Sequence, residues 1–354
     1  MPDDISITID DKNFSGWSKI IVDRSIEDVT SSFSFQVVDN QNQQNNQNWP
    51  LQTQSKAVIK VNDVPIINGF IDRVSVGISK ESHTITISGR DKTSDLVDTT
   101  AFHPGTKYTL KKTTIFELAL FLSDPYGIRV ELDRNVEIDD TFDITFKTSE
   151  SPYEIMDRKA KELGLMLITN ERGSLVITNS VRETTTDSLV MGTNILSANM
   201  DFDYTNRFSK YIVNSQISTT ANWGGNINVT AEAEDPNVSR FRPLLIQGES
   251  QMNRAKAQKR ANWEANVRAA RSQVVNIKVQ GFTQTNGDLW QINKLVEVDA
   301  PELYINPPIL LLITSVQFNL NENGTTTTLS LKREDAYTRL PPKKVKAQNK
   351  LGWP

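Results

Sequence analysis

The chain has 354 residues, with 39 basic and 43 acidic side chains and a net charge of -4, and at about 150 residues per domain it holds two to three domains. That near balance excludes a surface built throughout for nucleic acid or anionic lipid, while local basic patches stay open. With no cysteine and 2 histidines there is no disulfide framework, thiol nucleophile, thiolate metal site or histidine-rich metal centre, and the 37% of hydrophobic residues is lean but enough for modest cores.

The opening MPDDISITID is acidic and alternates polar with apolar residues, so no signal peptide is expected. The longest apolar runs, Leu118–Leu122 and Ile309–Ile313, fall well short of the about twenty residues a membrane helix needs. The expectation is a soluble protein made in the cytoplasm, without membrane insertion. Ile5, Ile7 and Ile9, then Phe33, Phe35 and Val37, then Ile85 and Ile87 recur at period two between polar residues, the pattern of half-buried antiparallel strands. Asn62-Asp63 and Asn323-Gly324 sit between such runs as turns. Asn40–Asn48 is an unbroken Asn/Gln tract with no apolar face and reads as a loop at a strand end.

From 99 to 190 the pattern changes. Thr114-Ile115-Phe116-Glu117 and Ser151-Pro152-Tyr153-Glu154 are capping boxes, predicting helices to about Ser123 and to a left-handed cap at Gly164. Strands follow at Leu165–Thr169 and Ser174–Asn179. Further on, Ala257, Ala261, Ala265 and Ala269 form a stripe at spacing four on a helix predicted over Met252–Arg271, which carries Arg254, Lys256, Lys259, Arg260, Arg268 and Arg271 against Glu264 alone. The stripe permits close packing on a neighbour, and the basic face is either a partner contact or a solvated surface. The tail RLPPKKVKAQNKLGWP is basic through Arg339, Lys343, Lys344, Lys346 and Lys350.

Two stretches match each other. A shift of 242 residues lays VPIINGFIDRVSVGISKESHTITISGR on NPPILLLITSVQFNLNENGTTTTLSLK, with identities that include Val74/Val316 and Ile71/Ile313, and sets Ile87 on Leu329. A shift of 191 lays WSKIIVDRSI on FSKYIVNSQI. These matches predict a duplication. The fold class expected is mainly β with α+β: two related β-barrel-like modules flanking a small α+β domain, each pair of matched residues pointing into its own barrel core. The domains are a first β module (1–98), the α+β domain (99–190), a second β module (191–219 and 273–335), an insertion with the basic helix (220–272) and a basic tail (336–354).

Catalytic motifs are missing: no G-x-S-x-G, phosphate loop, G-x-G-x-x-G or H-E-x-x-H occurs. His83 reads as a turn residue and His103, before Pro104-Gly105, as a loop residue. Asp201 and Asp203 share one face of a strand with Arg207 following, which is a structural ion pair before it is an acid pair. No catalytic, cofactor-binding or metal-ligating residue is assigned, and the chain is read as a non-enzyme that takes no cofactor.

GWSKIIVDRSIEDV near the start, GRDKTSDLVD at 89–98, FDYTNRFSKYIV at 202–213, VSRFRPLLI at 238–246, the helix Met252–Arg271 and GDLWQINKLVEVDA at 287–300 together resemble the Mu-type baseplate hub family of contractile phage tails, with type VI secretion hubs as more distant relatives. The resemblance spans nearly the whole chain. It implies a structural protein of a phage or prophage virion, forming a homotrimeric ring with pseudo-sixfold symmetry between tail tube and spike. Its partners would be further copies of itself, a tail tube or adaptor protein, the central spike protein and neighbouring baseplate proteins, with DNA passing through a central channel on ejection. Such a passage should be neutral or acidic on balance, which places the six basic residues of the helix at a subunit contact or on a face receiving an acidic partner. The alternatives are a tail-associated carbohydrate-binding or cell-wall-degrading β protein, and a trimeric adhesin, for which fibrous repeats are lacking.

Overall fold

The computed structural model describes residues 3–39, 52–80, 83–102, 109–134, 136–138, 140–146, 149–179, 183–218, 226–248, 252–333 and 337. The Asn40–Asn48 tract, His103 and the basic residues of the tail lie outside them.

The first part of the chain forms β1 (Ile5–Ile9), β2 (Lys12–Phe14), β3 (Lys19–Ser25), β4 (Ser32–Asp39), β5 (Lys56–Val61), β6 (Val64–Ile78) and β7 (His83–Asp91). Period two sets the burial: Ile5, Ile7, Ile9, Phe33, Phe35, Val37, Ile85 and Ile87 are all buried. Asn62 and Asp63 turn β5 into β6 with left-handed φ of 48° and 66°, which short polar side chains tolerate.

Next come α1 (Ser94–Asp98), β8 (Thr109–Thr113), α2 (Ile115–Ser123), β9 (Val130–Leu132), β10 (Phe142–Thr145), α3 (Pro152–Leu163), β11 (Met166–Thr169) and β12 (Leu175–Thr178). Both capping boxes form, and Gly164 ends α3 at φ 63°. This region has its own core of Leu118, Leu122, Ile155, Met156, Leu167 and Ile177. Polar groups fasten it to the first strands: Thr93 and Thr169 share a hydroxyl–hydroxyl bond of 2.8 Å, and the Arg24 guanidinium of β3 donates to the Thr169 carbonyl of β11 at 3.1 Å.

The rest comprises β13 (Leu189–Val190), β14 (Ile195–Phe202), β15 (Lys210–Ser218), β16 (Asn226–Glu234), β17 (Pro243–Gln247), α4 (Arg254–Arg271), β18 (Gln273–Gln280), β19 (Leu295–Ala300), β20 (Ile305–Asn321) and β21 (Gly324–Arg333). One sheet of 13 strands runs β14-β18-β21-β20-β3-β4-β7-β6-β5-β1-β2, with β19 and β13 branching from β20.

That path passes through one strand order twice. β14-β18-β21-β20 answers β3-β4-β7-β6, and the ladders agree residue by residue. Val74 pairs Ile87 and Val316 pairs Leu329; both ladders slip register at the matching place, between Ile71 and Arg73 and between Ile313 and Ser315. Ser34 pairs Ser88 as Asn276 pairs Ser330, so the shift of 242 carries over to β4 and β18. Buried Phe33, Phe35 and Val37 then correspond to buried Val275, Ile277 and Val279.

Three expectations need correction. The matched residues share one core rather than two, because β20 pairs β3 directly and Phe35, Ile87, Ile277 and Leu331 fall in a single apolar cluster; the sheet is open, not closed into barrels. Ile87, Val316 and Leu329 are buried, while Val74 is only half-buried against that cluster. The match at 191 is not a structural one. β15 lies in a separate sheet with β16 and β17, and the strand that answers β3 is β14: Val22 pairs Phe33 as Met200 pairs Val275. Residues 203–272, between β14 and β18, stand where the first strand order has only the short link from β3 to β4. Alternation of apolar with Ser and Lys marks any half-buried strand, so it identified a strand without identifying its partner.

Candidate assembly surfaces

The insertion is the largest departure from the repeated strand order. Its helix α4 begins at the Asn253 cap, whose side chain accepts from the Lys256 amide at 2.9 Å. The alanine stripe is entirely buried, but against the insertion's own sheet: Ala257, Ala261 and Ala265 pack on Tyr211, Val213, Ala231 and Ala233. Small residues on both sides let helix and sheet approach closely. Another face of α4, through Trp263, Val267 and Ala270, packs on Ile26, Met166, Leu295 and Leu312, so the helix is wedged between its sheet and the main body.

The six basic residues divide. Arg260 and Arg268 flank Glu264 at 2.7 and 3.1 Å, stacked over Trp263 and Phe208 respectively. Arg271 reaches Glu27 at 2.8 Å. Arg254 and Lys259 are exposed and Lys256 half-exposed. Arg207 does not serve Asp201 or Asp203. Its guanidinium meets Asp235 through two contacts of 2.6 and 3.2 Å and donates to the Ser272 hydroxyl at 3.0 Å, with both charged side chains fully buried. The pair closes the base of the insertion, where the chain leaves β14 and returns to β18. Asp201 and Asp203 stay exposed, and Asp203 accepts from the Thr205 hydroxyl and amide, which holds its carboxyl below the ordinary value.

Glu27 ties the insertion to the sheet. Its carboxylate is met by Lys332 of β21, Arg271 of α4 and the Tyr337 hydroxyl. Burial pushes the Glu27 carboxyl up, but the Lys332 charge and hydrogen bonds from Lys332, Tyr337 and Arg271 outweigh it and hold the group at about 2. A depressed carboxyl stabilises the fold fully above its unfolded value near 4.5, and that contribution is lost as pH falls through about 2. Glu27→Gln is expected to lower stability at pH 7 by about 3 kcal/mol and to flatten the pH dependence across that window. Urea midpoints of both proteins between pH 2 and 7 decide it; parallel curves would remove Glu27 as the cause.

A cleft of about 310 Å³ separates α3 from the insertion, lined by Glu150, Glu154, Asp157, Arg158, Lys161 and Arg260 among others. Its carboxylates are engaged: Glu150 with Arg158, Asp157 with Lys161, and Glu154 in the Ser151 capping box. Among the described residues no group of three His, Asp or Glu is placed to hold a metal ion, and no helix is long and apolar enough to cross a membrane. His83 sits at the start of β7, half-buried.

A long open sheet with an insertion fastened to it is an architecture this chain shares with phage tail proteins. Residues 4–91 match the family model of the Mu phage baseplate assembly protein GpP-like N-terminal domain, 93–179 that of the baseplate hub protein gp44-like second domain, and 253–339 that of the Mu phage baseplate assembly protein GpP fourth domain. The baseplate hub protein gp44 of Escherichia phage Mu is 30% identical, over 99% of this chain and 93% of its own length. The 43 kDa tail protein of prophage MuSo2 from Shewanella oneidensis superposes with a TM-score of 0.83 at 28% identity, covering 94% of this chain and 99% of that one. A type VI secretion component of E. coli shares the fold alone, at TM-score 0.54 and 8% identity over 97% of this chain and 79% of that one. The chain belongs to the Mu-type baseplate hub protein family.

Proposed function

We propose that this hub protein works as a homotrimeric ring in the virion baseplate, presenting six similar β units around one axis. The observation that carries the reading is the strand order traversed twice in one chain, with ladder registers and a register slip in the same places. We read it as an internal duplication, in which 3–98 and the segments 189–202 and 273–333 are the two modules. Three copies then offer pseudo-sixfold symmetry to a sixfold tail tube on one face and threefold symmetry to a spike on the other, and leave a channel on the axis for DNA. Internal pairing of Arg260, Arg268 and Arg271 supports keeping that path free of a basic ring. Arg254, Lys256 and Lys259 crowd the first turns of α4, where the helix dipole disfavours positive charge; this supports retention for contact with an acidic neighbour in the baseplate.

Light scattering on the purified protein should return three times the 39.8 kDa of one chain, with threefold or sixfold views by negative stain. A monomer or dimer at every micromolar concentration would falsify the ring.

A further inference from the structure

The sheet carries a template for its own extension. Within the chain, the far half of β20 pairs β3: Val316 faces Arg24, Gln317 faces Asp23, Phe318 faces Val22 and Leu320 faces Ile20. The strand that answers β20 is β6, and the strand that answers β3 is β14. Among the described residues neither counterpart has this pairing. Residues 73–78 of β6 pair β7 on one side, while β5 reaches only as far as Phe70 on the other. β14 pairs β18 and ends the strand order. One chain thus holds both halves of a second seam at opposite parts of one open sheet.

We propose that residues 73–78 of β6 pair with β14 of a neighbouring copy, antiparallel and in the register of the internal β20–β3 seam; this rests on the ring reading and specifies its interface. Transposed by the ladders, Val74 faces Phe202, Val76 faces Met200 and Ile78 faces Ala198 of the neighbour. Every one of these is apolar; Val74, Ala198, Met200 and Phe202 pack on the main core, and Val76 and Ile78 continue the strand phase of Val74. Val76 is 49% and Ile78 75% exposed in the single chain, and an exposed apolar edge strand is a hazard unless something covers it. On the other face Arg73 comes opposite Asp203, Ser75 opposite Asp201 and Gly77 opposite Asn199. The charges are complementary, which fixes register and disfavours slips. Asp201 takes the place of Asp23, which accepts from the Gln317 amide at 2.7 Å in the internal seam, and Ser75 takes the place of Gln317. The contact is heterologous, one edge to a different edge, the kind that generates a ring when the rotation between copies closes.

The chain has no cysteine, so introduced pairs report cleanly. Opposed antiparallel residues have Cα atoms about 4.5–5.5 Å apart, within disulfide reach, whereas diagonal neighbours at about 7–8 Å are not. The full-length Ser75→Cys/Asp201→Cys protein, oxidised and run without reductant, should migrate as covalent dimer and trimer. Asp23→Cys/Gln317→Cys, its counterpart in the internal seam, should lock without gain of mass. Ser75→Cys/Asn199→Cys should stay uncrosslinked. Ile78→Asp, exposed in the single chain, should leave the fold intact and raise the concentration for half-assembly at least tenfold. A trimer by light scattering in which Ser75 and Asp201 do not link, or in which the Asn199 pair links as well, overturns this interface and leaves the ring standing; so does Ile78→Asp assembling as the parent does. A monomer at all concentrations overturns the ring and the interface together.

Discussion

Alanine at Asp235 is expected to remove about 3–5 kcal/mol of stability, the cost of stranding a buried charge. The loss arises because Arg207 stays fully buried with only the Ser272 hydroxyl and the Tyr204 ring, 4.7 Å from the guanidinium carbon, to meet its charge. Asp235 also accepts from the Asn237 amide at 3.0 Å, so the turn after β16 loosens with it. Replacing both partners by apolar residues, as in Arg207→Met with Asp235→Leu, should recover a large part of the loss, since no lone charge is left behind. Urea denaturation followed by far-UV circular dichroism measures both. If the single change costs less than about 1 kcal/mol, the range of an exposed pair, the two groups do not form the buried contact described.

Gly69→Ala should be more damaging still. A β-carbon at Gly69 would lie 1.8 Å from the Arg90 carbonyl oxygen and 2.5 Å from the Asp91 α-carbon, both backbone atoms in the partner strand. No rotamer relieves such a clash, so β6 and β7 must part next to the register slip between Ile71 and Arg73. The expected result is a protein that does not accumulate in soluble folded form, a loss beyond about 4 kcal/mol. Gly77→Ala in the same strand is the control: its nearest neighbour is the Thr84 oxygen at 4.0 Å, and stability should change by less than about 0.5 kcal/mol. Comparable yield and melting temperature for the two variants would show that β6 and β7 do not approach as closely as described.

Local features were legible in the sequence and partners were not. Thr114 with Glu117 and Ser151 with Glu154 are three residues apart, so one turn of backbone decides the outcome. The shift of 242 worked because it aligned two whole hairpins, in which pairing follows from the sequence between the strands. The match of β3 with β15 failed because a strand's sheet is set by a partner elsewhere in the chain. The alanine stripe foretold close packing but not whose surface would be met, and that surface was the chain's own β15 and β16. Arg207 finds Asp235 across 28 residues and Lys332 finds Glu27 across 305; no spacing rule reaches so far. The single signal for Asp235 was its place just after an alternating run, Asn226–Glu234, where a turn begins.

The seam between β20 and β3 also orders events during synthesis. Gln317 meets Asp23 across 294 residues, which ribosomes translating at roughly 5–20 residues per second need on the order of 15 to 60 s to add. For that interval β3 can pair β4 but keeps a bare outer edge beside every other nascent chain on the same message. Lys19, Asp23 and Arg24 give that edge alternating charge, a device that discourages strands from pairing with strangers. When β20 arrives Asp23 is partly enclosed, and burial then raises its carboxyl above the ordinary value despite the Gln317 amide. A charge that is costly in the finished sheet guards the half-made one.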